Sequence, residues 1–140
     1  MIVLDTNVIS ELTRQPPAQA VLRWLRQIPR NDLFGTTMTE AELRFGIMRM
    51  PQGRRRDDLL DATERVFRDL FPGRILPFNR PAAAHFAQIA AGRQAIGRRM
   101  LTADALIAAT ARAHGATAIA TRDIRDFEHC GVPLVDPWAA

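Results

Sequence analysis

Five short aliphatic and β-branched runs, not alternating with polar residues, restrict what this 140-residue chain can fold into. They are Ile2-Val3-Leu4, Leu33-Phe34-Gly35-Thr36, the segment Arg74 to Phe78, Thr117-Ala118-Ile119-Ala120, and Pro133-Leu134-Val135. An alternating strand can turn one face to water, whereas a continuous apolar strand needs cover on both faces, the condition of a parallel sheet between helices. The intervening stretches have helical spacing. Val8, Ile9 and Leu12 share one before Pro16-Pro17, and Ala20, Val21, Trp24, Leu25 and Ile28 form one face of a second, from Pro17 to Ile28. Further helices are predicted from Thr39 to Met50, from Arg54 to Leu70, from Pro81 to about Ile96, and from Thr102 to His114, the last ended by Gly115. The chain therefore reads as α/β: a single-domain α/β/α sandwich over residues 1–140, built on a mostly parallel five-stranded sheet.

Composition removes several chemistries. All 19 basic residues are Arg. Without Lys there is no P-loop lysine and no Schiff base. The one serine, Ser10, lacks the Gly-x-Ser-x-Gly surroundings of a serine hydrolase. The one cysteine, Cys130, excludes an internal disulfide and a cysteine-based zinc site; it is expected to be structural, in a cytoplasmic protein. His85, His114 and His129 show no metal-ligand spacing, and no apolar run is long enough to span a membrane. The net charge of +4 is compatible with a polyanionic partner without demanding one.

Ligands of open parallel sheets sit beyond the carboxyl ends of the strands, near the point where strand order reverses. Asp5 directly follows the first strand, and Asp123 follows the fourth by way of Thr121-Arg122. Asp104 falls in the first turn of the helix beginning near Thr102, and Glu42 in that of the helix beginning near Thr39. Each acid alone has an ordinary reading. Asp5 can cap a helix, Thr39-x-x-Glu42 is a capping box, Asp104 suits a helix N-terminus, and Asp123 can belong to a turn. Four acids from four elements at one end of a sheet are a different matter.

The blocks around these acids carry a resemblance. Ile2-Val-Leu-Asp-Thr-Asn-Val-Ile-Ser10, Thr39-Glu-Ala-Glu-Leu-Arg-Phe-Gly46, Leu101-Thr-Ala-Asp-Ala-Leu-Ile-Ala-Ala-Thr110 and Ala120-Thr-Arg-Asp-Ile-Arg-Asp-Phe127 are similar, in order, to the four motif blocks of PIN domains. The likeness is greatest to the VapC-type toxin branch with its FitB-like members. It implies a metal-dependent ribonuclease that is the toxin of a type II toxin–antitoxin pair, with RNA as substrate, a VapB-type antitoxin as partner and a homodimer as the assembly. By position, Asp5, Glu42 and Asp104 match the acidic triad of that family. For the fourth acid, Asp123 and Asp126 both stand, because many relatives have Asn after the Arg of Thr121-Arg122. Carboxylates without His or Cys select hard cations, so Mg²⁺ is the expected metal, with Mn²⁺ as substitute. Asp5, Asp104 and Asp123 are expected to ligate it, with Glu42 ligating or orienting the attacking water.

Other residues carry weaker expectations. Asn7 can fix the Asp5 carboxylate or touch substrate, and the Thr121 hydroxyl can do likewise. Arg54-Arg55-Arg56 and Arg98-Arg99 are candidate phosphate contacts, with a solvated surface as the ordinary alternative. Trp24 and Phe45 sit at core spacing and are expected to pack inside. Two other functions compete: a catalytically silent RNA-binding or scaffold module of the same fold, and a phospho-acceptor role for Asp5. The latter lacks a second acid at the strand end and a lysine to neutralise the phosphoryl group.

Overall fold

A computed structural model describes residues 1–140. Five strands form one sheet in the order β3-β2-β1-β4-β5: β1 (Ile2–Leu4), β2 (Leu33–Thr36), β3 (Ile75–Leu76), β4 (Ala118–Ala120) and β5 (Leu134–Val135). Every pairing is parallel. From central β1 the chain builds outward on one side through β2 and β3, then crosses to the other side for β4 and β5. The strand order therefore reverses between β1 and β4, the position at which open parallel sheets form a crevice beyond their carboxyl ends. The backbone N–H of Asp5 donates to Ala120 O at 2.9 Å, closing the β1–β4 ladder at that point.

Both faces of the sheet are covered, as continuous apolar strands require. One core joins Val3 and Ile119 to Ile107, Ala108 and Ala111 of α6 (Thr102–Ala113), Ile89 of α5 (Arg80–Ala95) and Phe127 of α7 (Ile124–Phe127). The other joins Leu4 and Ala120 to Val8 and Ile9 of α1 (Thr6–Leu12), Trp24 of α2 (Gln19–Arg26) and Phe67 of α4 (Arg54–Leu70). The neighbours Val3 and Leu4 thus enter opposite cores, because successive strand side chains point to opposite faces. A Cβ at Gly35 in β2 would stand 3.0 Å from the end of the Ile75 side chain in β3, so the bare position gives that isoleucine room. Gly115 follows α6 with φ of +72°, the left-handed conformation that commonly ends a helix.

Two elements differ from the sequence reading. The third helix, α3, spans Thr37–Met48 and begins directly after β2, with Thr36 as its cap: the Thr36 hydroxyl accepts from Thr39 N–H at 3.1 Å. Thr39 therefore lies inside the helix, and the capping box Thr39-x-x-Glu42 does not form. The short helix α7, after β4, was not foreseen, since four residues give no periodicity to read. No helix is long and apolar enough to cross a membrane.

Candidate active site

Asp5, Glu42, Asp104 and Asp123 come from the ends of β1 and β4 and the N-terminal halves of α3 and α6. Asp5 is the N-cap of α1 and 4% exposed. Its Oδ1 accepts from Thr6 N–H at 2.7 Å, and its Oδ2 accepts from the Thr121 hydroxyl at 2.8 Å. The capping reading of Asp5 is thus met without removing it from the group of strand-end acids. The Thr6 side chain reaches the next acid, donating to Glu42 Oε1 at 2.8 Å. On the other side, the Thr121 hydroxyl accepts from Asp123 N–H at 3.0 Å, and Asn7 Nδ2 donates to Asp123 Oδ2 at 3.1 Å. Asn7 thus serves Asp123 rather than Asp5. Two threonines, one per side, link three of the four acids into a single hydrogen-bonded frame.

Behind Glu42 lies a chain of hydroxyls that the sequence did not disclose. Because the Thr6 proton is given to Glu42, the Thr6–Thr39 contact at 3.0 Å must have Thr39 as donor. The Thr39 oxygen then accepts from the Thr36 hydroxyl at 3.3 Å. Thr36 and Thr39 are fully buried, so every hydroxyl proton in the series has one place to go, and all run toward the Glu42 carboxylate. Thr36 and Thr39 were hidden because threonine near a helix start reads first as a cap.

The electrostatics are those of crowded anions. Burial pushes Asp5 up to about 6; the bonds from Thr121 and Thr6 oppose this, and the charges of Glu42 and Asp123 add to it. Asp104, half-buried, is pushed up to about 7 by burial first and then by Asp5, Asp126, Glu42 and Asp123. Its place in the first turn of α6 would favour an anion, yet burial and like charge prevail. Asp126 acts on Asp104 ahead of Asp123, so both candidates for the fourth acid lie within electrostatic reach of it.

The donor set is carboxylate and hydroxyl oxygen, which suits a hard divalent cation. It is an open arrangement: no three His, Cys, Asp or Glu side chains stand together closely enough to hold an ion as they are placed. Asp5, Glu42 and Asp123 are each turned onto a Thr or Asn partner instead. The residues fit such a cation in charge and ligand type.

Strand order, the switch-point crevice and its acids converge with a direct match: residues 2–132 match the PIN domain family. The chain belongs to the PIN domain family. It is 41% identical over 138 residues to toxin FitB of Neisseria gonorrhoeae, covering 99% of each chain. To the VapC ribonuclease Y4jK of Sinorhizobium fredii it is 43% identical over 138 residues, covering 99% of this chain and 98% of that one. Among solved structures, FitAcB from Neisseria gonorrhoeae superposes with a TM-score of 0.89 at 40% identity, covering 100% of both chains.

Several residues of this PIN domain lie away from the crevice or play other parts. Arg98 is taken up internally: its guanidinium donates to Glu128 Oε2 at 2.8 Å and to Arg125 O at 3.1 Å, and it holds the Glu128 carboxyl below its ordinary range. It is therefore no free phosphate contact, whereas Arg99 is exposed. Arg54 and Arg55 are also exposed, while Arg56 leans on Met48. Glu40, two residues from Glu42, pairs with Arg44 at 3.2 Å on another side of α3. Trp24 packs inside as expected, but Phe45 is 64% exposed. The inward stripe of α3 contains Leu43 and Ile47, and a residue two positions from each must face away. Arg49 covers the Phe45 ring, 5.4 Å from its centroid. His114 ends α6, and Cys130 is buried in the first core.

Proposed function

We propose that this PIN domain is a Mg²⁺-dependent endoribonuclease, the toxin of a type II toxin–antitoxin pair. The observation that carries the reading is the frame in which Thr6 and Thr121 join Asp5 to Glu42 and Asp123, beside a half-buried Asp104 with a raised pKa. Frustrated carboxylates at a parallel-sheet switch point are what a phosphodiesterase needs to attract a dication. Kinship with a toxin and a VapC ribonuclease at more than 40% identity supports RNA as the polymer cut.

In this reading Asp5 and Asp104 are the principal ligands, with Asp123 as the fourth acid, direct or through water. When bound, Mg²⁺ would acidify a water and polarise the phosphoryl group. Thr6 orients Glu42, which positions the attacking water and takes up its proton. Thr121 holds Asp5 in place, and Asn7 does the same for Asp123. The proposed partner is a VapB-type antitoxin that covers the crevice, in keeping with the FitAB and VapBC complexes among the structural neighbours. The proposed platform is a homodimer in the cytoplasm, residues 1–140 acting as one unit. The exposed Phe45 and Met48 of α3 are apolar surface that such a dimer can cover.

The test is cleavage of single-stranded RNA by purified protein. Cutting is expected with Mg²⁺ or Mn²⁺, to cease in EDTA, and to fall at least 100-fold in Asp104→Asn. EDTA-resistant cleavage, or full activity in that variant, would refute the assignment.

A further inference from the structure

The crevice is lined with acids, yet its substrate in the proposed reading is a polyanion. A cation beside the carboxylates is therefore required to receive the strand, unless the bound metal does all of that work. Arg122 is the residue placed for it. It lies between Thr121, which holds Asp5, and Asp123 itself, and its backbone N–H donates to Asn7 Oδ1 at 3.4 Å. Its side chain is exposed and takes part in none of the molecule's five ion pairs, although Asp123 is its neighbour in the chain. What engages it is an aromatic face: the guanidinium lies over the Trp138 ring, 4.9 Å from the centroid.

Trp138 is a firm seat. It packs against the second core, and its backbone N–H donates to Asp136 Oδ1 at 2.8 Å. The indole thus rests against the core and carries the Arg122 guanidinium over its ring. Stacking restrains a long side chain that would otherwise sample many rotamers, while leaving the in-plane N–H donors of the guanidinium free. A planar, preoriented fork of donors is matched to phosphate, and the strand-end position puts it beside Asp123.

We propose that Arg122, its backbone set between Thr121 and Asp123 and its guanidinium seated on Trp138, grips a phosphate of the RNA strand and holds that strand for cleavage. The inference rests on the ribonuclease reading and adds a substrate-binding residue to it. Lysine cannot replace the arginine, because an ammonium lacks both the flat face and the fork. Arg98 cannot supply the function, since its guanidinium is spent on Glu128 and Arg125 O.

The experiment measures binding of a fluorescent single-stranded RNA oligonucleotide in EDTA, across a range of KCl concentrations, for the otherwise unaltered protein, Arg122→Ala and Arg122→Lys. Urea unfolding of each is measured alongside. Arg122→Ala is expected to bind about tenfold more weakly and to flatten the slope of log affinity against log salt by about 0.7, the value of one single-strand phosphate contact. Arg122→Lys should recover less than half of the affinity lost. Unchanged affinity and slope in Arg122→Ala would overturn the proposal while leaving RNA as substrate. A lowered urea midpoint with unaltered binding would also overturn it, making the stack a structural strap. If the unaltered protein neither binds nor cuts RNA, the ribonuclease reading falls, and this inference with it.

Discussion

Replacing Asp5 by Asn should make the metal-free protein more stable at neutral pH while removing its activity. Asp5 is 4% exposed and its pKa is raised from 3.8 to about 6, chiefly by burial. Below the lower value, folded and unfolded chains both carry the proton. Between the two values only the folded chain keeps it, so stability falls as pH rises. Above about 6 the cost is complete: at about 1.36 kcal/mol per decade it amounts to about 3 kcal/mol. Asparagine avoids that cost, and the bonds that Thr6 N–H and the Thr121 hydroxyl give to the charged carboxylate are already contained in the shifted pKa. Relative to wild type, Asp5→Asn in EDTA is thus expected to gain about 3 kcal/mol of stability between pH 3 and pH 8. Urea unfolding of both proteins across this range measures it, and taking the difference cancels the other titrating groups. Asp104 adds to the wild-type slope with the same sign, though solvent screens its half-exposed carboxylate. Mg²⁺ should then stabilise the wild type by about 2.7 kcal/mol at one hundred times its dissociation constant, and the variant by much less. A variant less stable than wild type at pH 8, or a difference that does not change with pH, would show that the Asp5 charge is not strained in the fold.

Thr39→Val removes the middle hydroxyl of the chain behind Glu42 and leaves Thr6 and Thr36 without that partner. A stability loss of about 1–2 kcal/mol and a kcat reduced about tenfold at little-changed KM are expected, with Thr39→Ser restoring most of both; urea unfolding and steady-state cleavage read them out. Arg93 is 5% exposed and donates to Asp126 O at 3.1 Å and Glu128 O at 2.7 Å, so Arg93→Met frees the end of α7. It should cost about 2–3 kcal/mol and raise amide exchange through residues 124–128, and unchanged exchange there would contradict the role of Arg93 as the anchor of α7.

Much of this molecule follows from periodicity alone. The uninterrupted aliphatic character of Ile2–Leu4 and Ala118–Ala120 demanded cover on both faces and so a parallel sheet, and Asp5 and Asp123 stood at strand ends where such sheets bind ligands. The helix Arg54–Leu70 was legible to the residue, because a long amphipathic stripe interleaved with charges has one reading. The family resemblance was legible because its motif blocks are local stretches around those same acids.

What local pattern could not supply is which partner each polar side chain takes, since that depends on distances between residues remote in the chain. Thr6 reaches Glu42 across 36 positions and Thr121 reaches Asp5 across 116, so neither bond leaves a trace in spacing. The fate of the arginines is of the same kind: composition makes Arg98 and Arg122 equivalent, yet folding commits one to Glu128 and seats the other on Trp138. Phe45 shows the limit within a single helix, because a lone apolar residue is placed by the stripe its neighbours turn inward. Hydrophobic order along the chain determined the layers and the end of the sheet where chemistry can occur. Only the closed fold decided which hydroxyls, carboxylates and guanidinium groups meet there, because their free energies are set by burial and by neighbours that do not exist until the layers pack.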